Sequence, residues 1–81
     1  MTKQQLAEWA ETGRELEFEY HGRKYSITYY NDGRKNYISF CEYYQEPLDV
    51  PDVKTLWGSS YNGIELSKML SVIPEDEVDV A

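Results

Sequence analysis

A single cysteine, Cys41, is the first scarcity of this chain, and it rules out an internal disulfide. That usage suits a reducing cytosol. Basic residues are also few: eight Lys plus Arg stand against fifteen Asp plus Glu, for a net charge of −7. An acidic chain is repelled by nucleic acid and by anionic membranes, and it favours basic partners. No hydrophobic run approaches the length of a membrane span. The opening "MTKQQLAEWAETG" has no apolar stretch of the kind a signal peptide needs. No EF-hand loop, His-Glu-x-x-His or Cys-x-x-Cys pattern occurs, so neither a metal nor a cofactor is expected.

Aromatic residues, in contrast, are plentiful, with eight tyrosines in 81 residues. The apolar content is ordinary, so the chain can bury a modest core, and its length suits one domain, 1–81. We expect a small soluble cytoplasmic protein.

Thr2 followed by Gln5 is an N-cap with a capping-box partner. Leu6, Trp9 and Ala10 then recur at helical spacing, with Ala7 beside them, and Gly13 is placed to end the helix. From Glu15 the period changes to two. Charged and apolar residues alternate through Tyr20; Arg23 to Tyr30 alternates too, with Tyr25, Ile27 and Tyr29 on one parity, and Asn36 to Tyr44 is β-rich, with Ile38 and Phe40 on one parity. His21-Gly22 and Asn31-Asp32-Gly33 separate these runs as hairpin turns.

If His21-Gly22 is a two-residue turn, Glu19 faces Lys24, Phe18 faces Tyr25 and Leu16 faces Ile27. If Asp32-Gly33 is the second, Tyr30 faces Lys35, Ile27 faces Ile38, Tyr25 faces Phe40 and Lys24 faces Cys41. Both hairpins then place their apolar residues on one face of a three-stranded meander. A slip of one residue in either would turn a whole strand over. The two Gly-Arg-Lys strings, at 22–24 and 33–35, read as turn glycines followed by strand openings. They lie about 23 Å apart along strand two, so they form no compact phosphate site.

Beyond Tyr44, Pro47 and Pro51 interrupt regular structure. Val50, Val53, Leu56 and Trp57 suggest a short helical turn ended by Gly58, with an edge strand as the alternative. Asn62, with Glu65 three residues on, reads as the N-cap of a last helix carrying Ile64, Leu66, Met69 and Leu70 up to Pro74. The acidic tail, 75–81, is either frayed or contributes Val78 and Val80 to a strand. The expected fold is α+β: an αβββα chain whose three-stranded antiparallel meander carries the N- and C-terminal helices on one face.

The face opposite the helices carries the candidate functional residues. Glu15, Glu17 and Glu19 make an acidic stripe, and Tyr30, Tyr37 and Tyr43 make a tyrosine-rich one. Tyrosine supplies rigid contact area with a hydroxyl, which suits protein interfaces. Against this, tyrosine favours strands for packing reasons alone, and exposed glutamates on an edge strand deter aggregation. Cys41 opposite Lys24 and near His21 is the one arrangement that could activate a nucleophile. No third orienting group accompanies it, so we read the chain as non-enzymatic.

The helix, three-strand, helix order is shared with double-stranded RNA-binding domains. The last helix, however, opens Asn62-Gly63-Ile64-Glu65 and offers only Lys68, where that family presents lysines to phosphate. In layout, size and acidity the chain resembles small accessory proteins of phages and mobile elements of Gram-positive bacteria. Some of these are anti-CRISPR proteins that mimic DNA with carboxylates. The resemblance implies a protein partner, basic or nucleic-acid-binding, and an inhibitor's role without direct contact to nucleic acid or membrane. A structural module that self-associates through the sheet face or edge, as a homodimer, is the second expectation.

Overall fold

A computed structural model describes residues 1–81. The chain is mixed α+β, a five-stranded antiparallel sheet with its helices on one face. Helix α1 spans Lys3–Glu11. The Thr2 hydroxyl accepts the Gln5 N–H at 3.1 Å, as the capping pattern predicts. The helix ends at Gly13, whose φ of +69° lets its N–H reach the Ala10 carbonyl while the Arg14 N–H reaches Trp9. These two bonds form a Schellman motif, which satisfies carbonyls the helix would otherwise leave open.

Strands β1 (Leu16–Tyr20), β2 (Arg23–Asn31) and β3 (Asn36–Glu42) form the expected meander. The first hairpin has the predicted register, Leu16 opposite Ile27 through Tyr20 opposite Arg23. His21 and Gly22 both take positive φ, as a two-residue turn matched to strand twist requires.

The second hairpin differs from the predicted pairing by two residues. Tyr30 faces Tyr37, Ile27 faces Phe40 and Ser26 faces Cys41. The loop is four residues long, Asp32–Lys35, so Arg34 and Lys35 lie within it and open no strand. Side chains explain the longer loop. The Asn31 side-chain oxygen accepts the Gly33 N–H at 2.8 Å, and one Asp32 oxygen accepts both Arg34 N–H (3.0 Å) and Lys35 N–H (2.9 Å). A two-residue turn would forgo these bonds. A shift of two preserves which face each side chain occupies. Leu16, Phe18, Tyr25, Ile27, Ile38 and Phe40 are therefore all buried together, as expected.

Three further features depart from the αβββα expectation. Strand β4 (Leu48–Val50) pairs with β3 and forms one sheet edge, and α2 (Val53–Trp57) follows, capped by Asp52. The helical alternative is thus realised at Val53–Trp57, and the edge strand lies just before it, at Leu48–Val50. Asn62-Gly63 does not start a helix. With φ of +50° and +80° it turns a small hairpin between β5 (Ser60–Tyr61) and β6 (Ile64–Glu65). Helix α3 then begins at Leu66 and runs to Ser71. Finally, the acidic tail is ordered: after a 3-10 turn at Glu75–Glu77, β7 (Asp79–Val80) pairs with β1. The sheet order is β4-β3-β2-β1-β7, so β1 is not an edge at Leu16 and Glu17.

The core lies between the sheet and its helical layer. Phe18, Tyr25 and Phe40 stack in sequence at 5.7 and 5.6 Å between ring centroids, and Tyr61 meets Phe40 edge-on at 5.0 Å. Leu6, Leu56, Leu66, Met69 and Leu70 close it from the helices. Met1 is buried too, its ammonium donating to the carbonyls of Leu70 and Ile73 at the end of α3. No helix is long and apolar enough to cross a membrane.

Candidate functional site

All helices sit on one side of the sheet, so the outer face is uncovered. Its strands place every second residue there, and the register decides which become neighbours. Asp79 and Glu17 share one cross-strand row with Ser26 and Cys41. In the next, Glu19 faces Lys24, whose carbonyl accepts the Tyr43 N–H at 2.9 Å. Towards the other end, Thr28 faces Ser39, which faces Asp49, and Tyr30 stacks on Tyr37 at 5.0 Å.

The six predicted residues therefore separate into two groups. Glu17, Glu19 and Tyr43 line a depression of about 240 Å³ together with Lys24, Glu77 and Asp79. Glu15 lies on the same side, and its carbonyl accepts the Ala81 N–H. Tyr30 and Tyr37 lie about 20 Å away, six residues along β2 from Lys24. The tyrosine face is thus not continuous; small Ser and Thr side chains occupy the middle.

At the acidic corner the neighbouring Glu17 carboxylate, with desolvation and the charge of Glu15, raises the Tyr43 phenol above its ordinary pKa. The phenol therefore keeps its proton throughout the neutral range. Lys24 is the only base lining the depression.

The turn that carries Tyr43 is held from below. The Tyr61 hydroxyl accepts the Glu42 N–H at 3.2 Å and donates to the Glu46 carbonyl at 2.7 Å. Arg23 reaches Glu42 at 3.4 Å, a contact diagonal to the strand pairing. Glu42 and burial together raise the pKa of Tyr25, burial contributing most. Tyr44, next to Tyr43, is fully exposed. Sequence reasoning passed over it because parity puts it on the buried face of a continuing strand. The chain turns at this point, and only the turn makes Tyr44 a surface residue.

Cys41 is displaced from the expected arrangement. It faces Ser26 and not Lys24, and its thiol lies within hydrogen-bonding distance of the carbonyls of Glu42 (3.0 Å) and Gln45 (3.1 Å). It is a link in the turn, away from the His21 hairpin. No group of three His, Cys, Asp or Glu side chains is arranged to hold a metal ion.

The largest groove, about 660 Å³, lies on the other side of the molecule. Ala7, Ala10, Tyr29, Ile38 and Val53 line it, and its rim sets Lys3 and Lys54 against Glu11 and Asp52. Its charges balance. Comparison with family models, with curated proteins and with solved structures finds no match to this chain.

Proposed function

We propose that this chain is a non-enzymatic protein-binding module whose partner is a basic protein, acting as an inhibitor or DNA mimic toward a nucleic-acid-binding protein. One observation carries the reading. The uncovered face ends in a corner where Glu17, Glu19, Glu77 and Asp79 surround Tyr43, with Lys24 as the only base. Carboxylates in this number repel one another, and a basic partner relieves that repulsion and is steered toward it. The tyrosines add contact area that is already rigid. Tyr30 and Tyr37 form a second contact patch for a partner wide enough to span the sheet.

The alternative, self-association through the sheet, has less to support it. Strand β4 is three residues long and lies between Pro47 and Pro51, and β7 has two residues. Short, proline-flanked edges are poor templates for strand addition. Two copies meeting through the acidic corner would bring like charges together.

Calorimetric titration with a basic DNA-binding nuclease across a salt series tests the reading. Binding that weakens steeply with salt is expected, with a further loss in Glu17→Lys and Glu19→Lys. Binding indifferent to both salt and charge reversal overturns it. A stable homodimer in sedimentation velocity would favour the assembly reading instead.

A further inference from the structure

Glu42 to Gln45 form a turn closed by the Gln45 N–H on the Glu42 carbonyl at 3.0 Å. Tyr44 occupies its third position with φ +68°. That position calls for glycine or asparagine. A tyrosine there buries nothing, since its side chain is fully exposed. It holds the left-handed conformation only because the surroundings impose it. The Tyr61 hydroxyl, the Arg23–Glu42 pair and the Cys41 thiol all fasten the same turn. The result is an aromatic side chain projected from a rigid base.

Its ring stands at 87° to that of Tyr43, with centroids 6.3 Å apart. Two perpendicular rings make a corner, and each aromatic face attracts positive charge. Glu19, Glu42, Arg23 and Lys24 line the same depression as both rings, and Glu17 joins Glu19 beside Tyr43 in the adjoining one. Of the chain's own cations here, Arg23 reaches Glu42 and Lys24 stands across the strands from Glu19, whereas Glu17, between Ser26 and Asp79, has no basic residue in its row.

We propose that the Tyr43–Tyr44 corner is a socket for an arginine side chain of the partner. This rests on the basic-partner reading above and names the contact that anchors it. A guanidinium is planar and weakly hydrated, stacks on an aromatic face, and can at the same time pair with a carboxylate. A lysine ammonium is a compact, strongly hydrated charge and gains less from the rings. The carboxylates attract either cation, and the rings distinguish them.

Labelled octa-arginine and octa-lysine peptides carry equal charge and serve as the probes, read by fluorescence anisotropy at low salt. The wild-type chain is expected to bind octa-arginine about two- to fivefold more tightly, the range of an exposed cation–π contact. Tyr44→Gly and Tyr44→Ala should abolish that preference and leave octa-lysine binding unchanged, whereas Tyr44→Phe should keep it. Glu17→Gln and Glu19→Gln should weaken both peptides alike. Equal binding of the two peptides by the wild type, or a preference that survives both Tyr44→Gly and Tyr44→Ala, overturns the socket while leaving the charge reading intact. Binding of neither peptide overturns both.

Discussion

Replacing Tyr44 isolates the energetic consequence of a tyrosine in a glycine position. An L-residue in the left-handed region carries a penalty of about 1–2 kcal/mol. Glycine avoids it but loses about 0.5–1 kcal/mol more conformational entropy on folding. Tyr44→Gly also removes the ring, and so does Tyr44→Ala, so the difference between the two variants cancels the ring's contribution. No burial is lost in either, because the side chain is fully exposed. Tyr44→Gly should therefore be more stable than Tyr44→Ala by about 1 kcal/mol, the penalty less glycine's entropy. For a domain of this size that corresponds to about 4–8 °C in Tm. Thermal and urea unfolding of the two variants, followed by circular dichroism, gives the comparison directly. A Tyr44→Gly variant no more stable than Tyr44→Ala would show that the turn is unstrained, and would remove the argument that the fold holds this ring in place against its conformational preference.

Four other outcomes follow from the geometry. Tyr61→Phe keeps the packed ring but leaves the Glu42 N–H and Glu46 carbonyl without their partner; a loss of about 1–2 kcal/mol in urea unfolding is expected. Val78→Ala removes two carbons from a buried site in the tail, which should lower stability by about 1.5 kcal/mol, whereas a frayed tail would show no change. Gly63→Ala forces a side chain into φ +80°, so about 1 kcal/mol or more should be lost, while Ala at a helical position would be neutral or stabilising. Asp32 and Asp52 are held below the ordinary carboxylate range, Asp32 chiefly by the Lys35 and Arg34 N–H groups and Asp52 by Thr55. A depressed folded pKa stabilises the fold above the unfolded value of 3.8 and loses that contribution as pH falls through the lower folded value. Unfolding midpoints measured down the acid range should therefore decline as pH falls from 3.8 towards the lower folded values, and less steeply in Asp32→Asn and Asp52→Asn.

The amino-acid sequence by itself determined the elements whose signals are local. Thr2 and Gly13 bound the first helix because a cap needs only its own neighbouring amides and carbonyls. His21-Gly22 set the first hairpin because a two-residue turn leaves its register no freedom. Alternation with period two assigned Leu16, Phe18, Tyr25, Ile27, Ile38 and Phe40 to the core and the glutamates to the outside. Alternation reports only the face, however, and a shift of two residues is invisible to it. The pairing of β2 with β3 depended on the Asn31 and Asp32 side chains, and this set Tyr37 against Tyr30, brought Tyr43 beside Lys24 and moved Cys41 away from it. Asn62-Gly63 illustrates the same limit, since a residue suited to a helix cap is equally suited to a hairpin turn; the pairing of Tyr61 with Ile64 decided between them. Only the tertiary structure gave the tail its place, because Asp79 and Val80 are a strand only where β1 offers an open edge. It alone also turned the chain at Tyr44. The bonds that hold that turn come from Tyr61, 17 positions later in the chain, and from Arg23 on another strand, and no local pattern encodes contacts between segments so far apart.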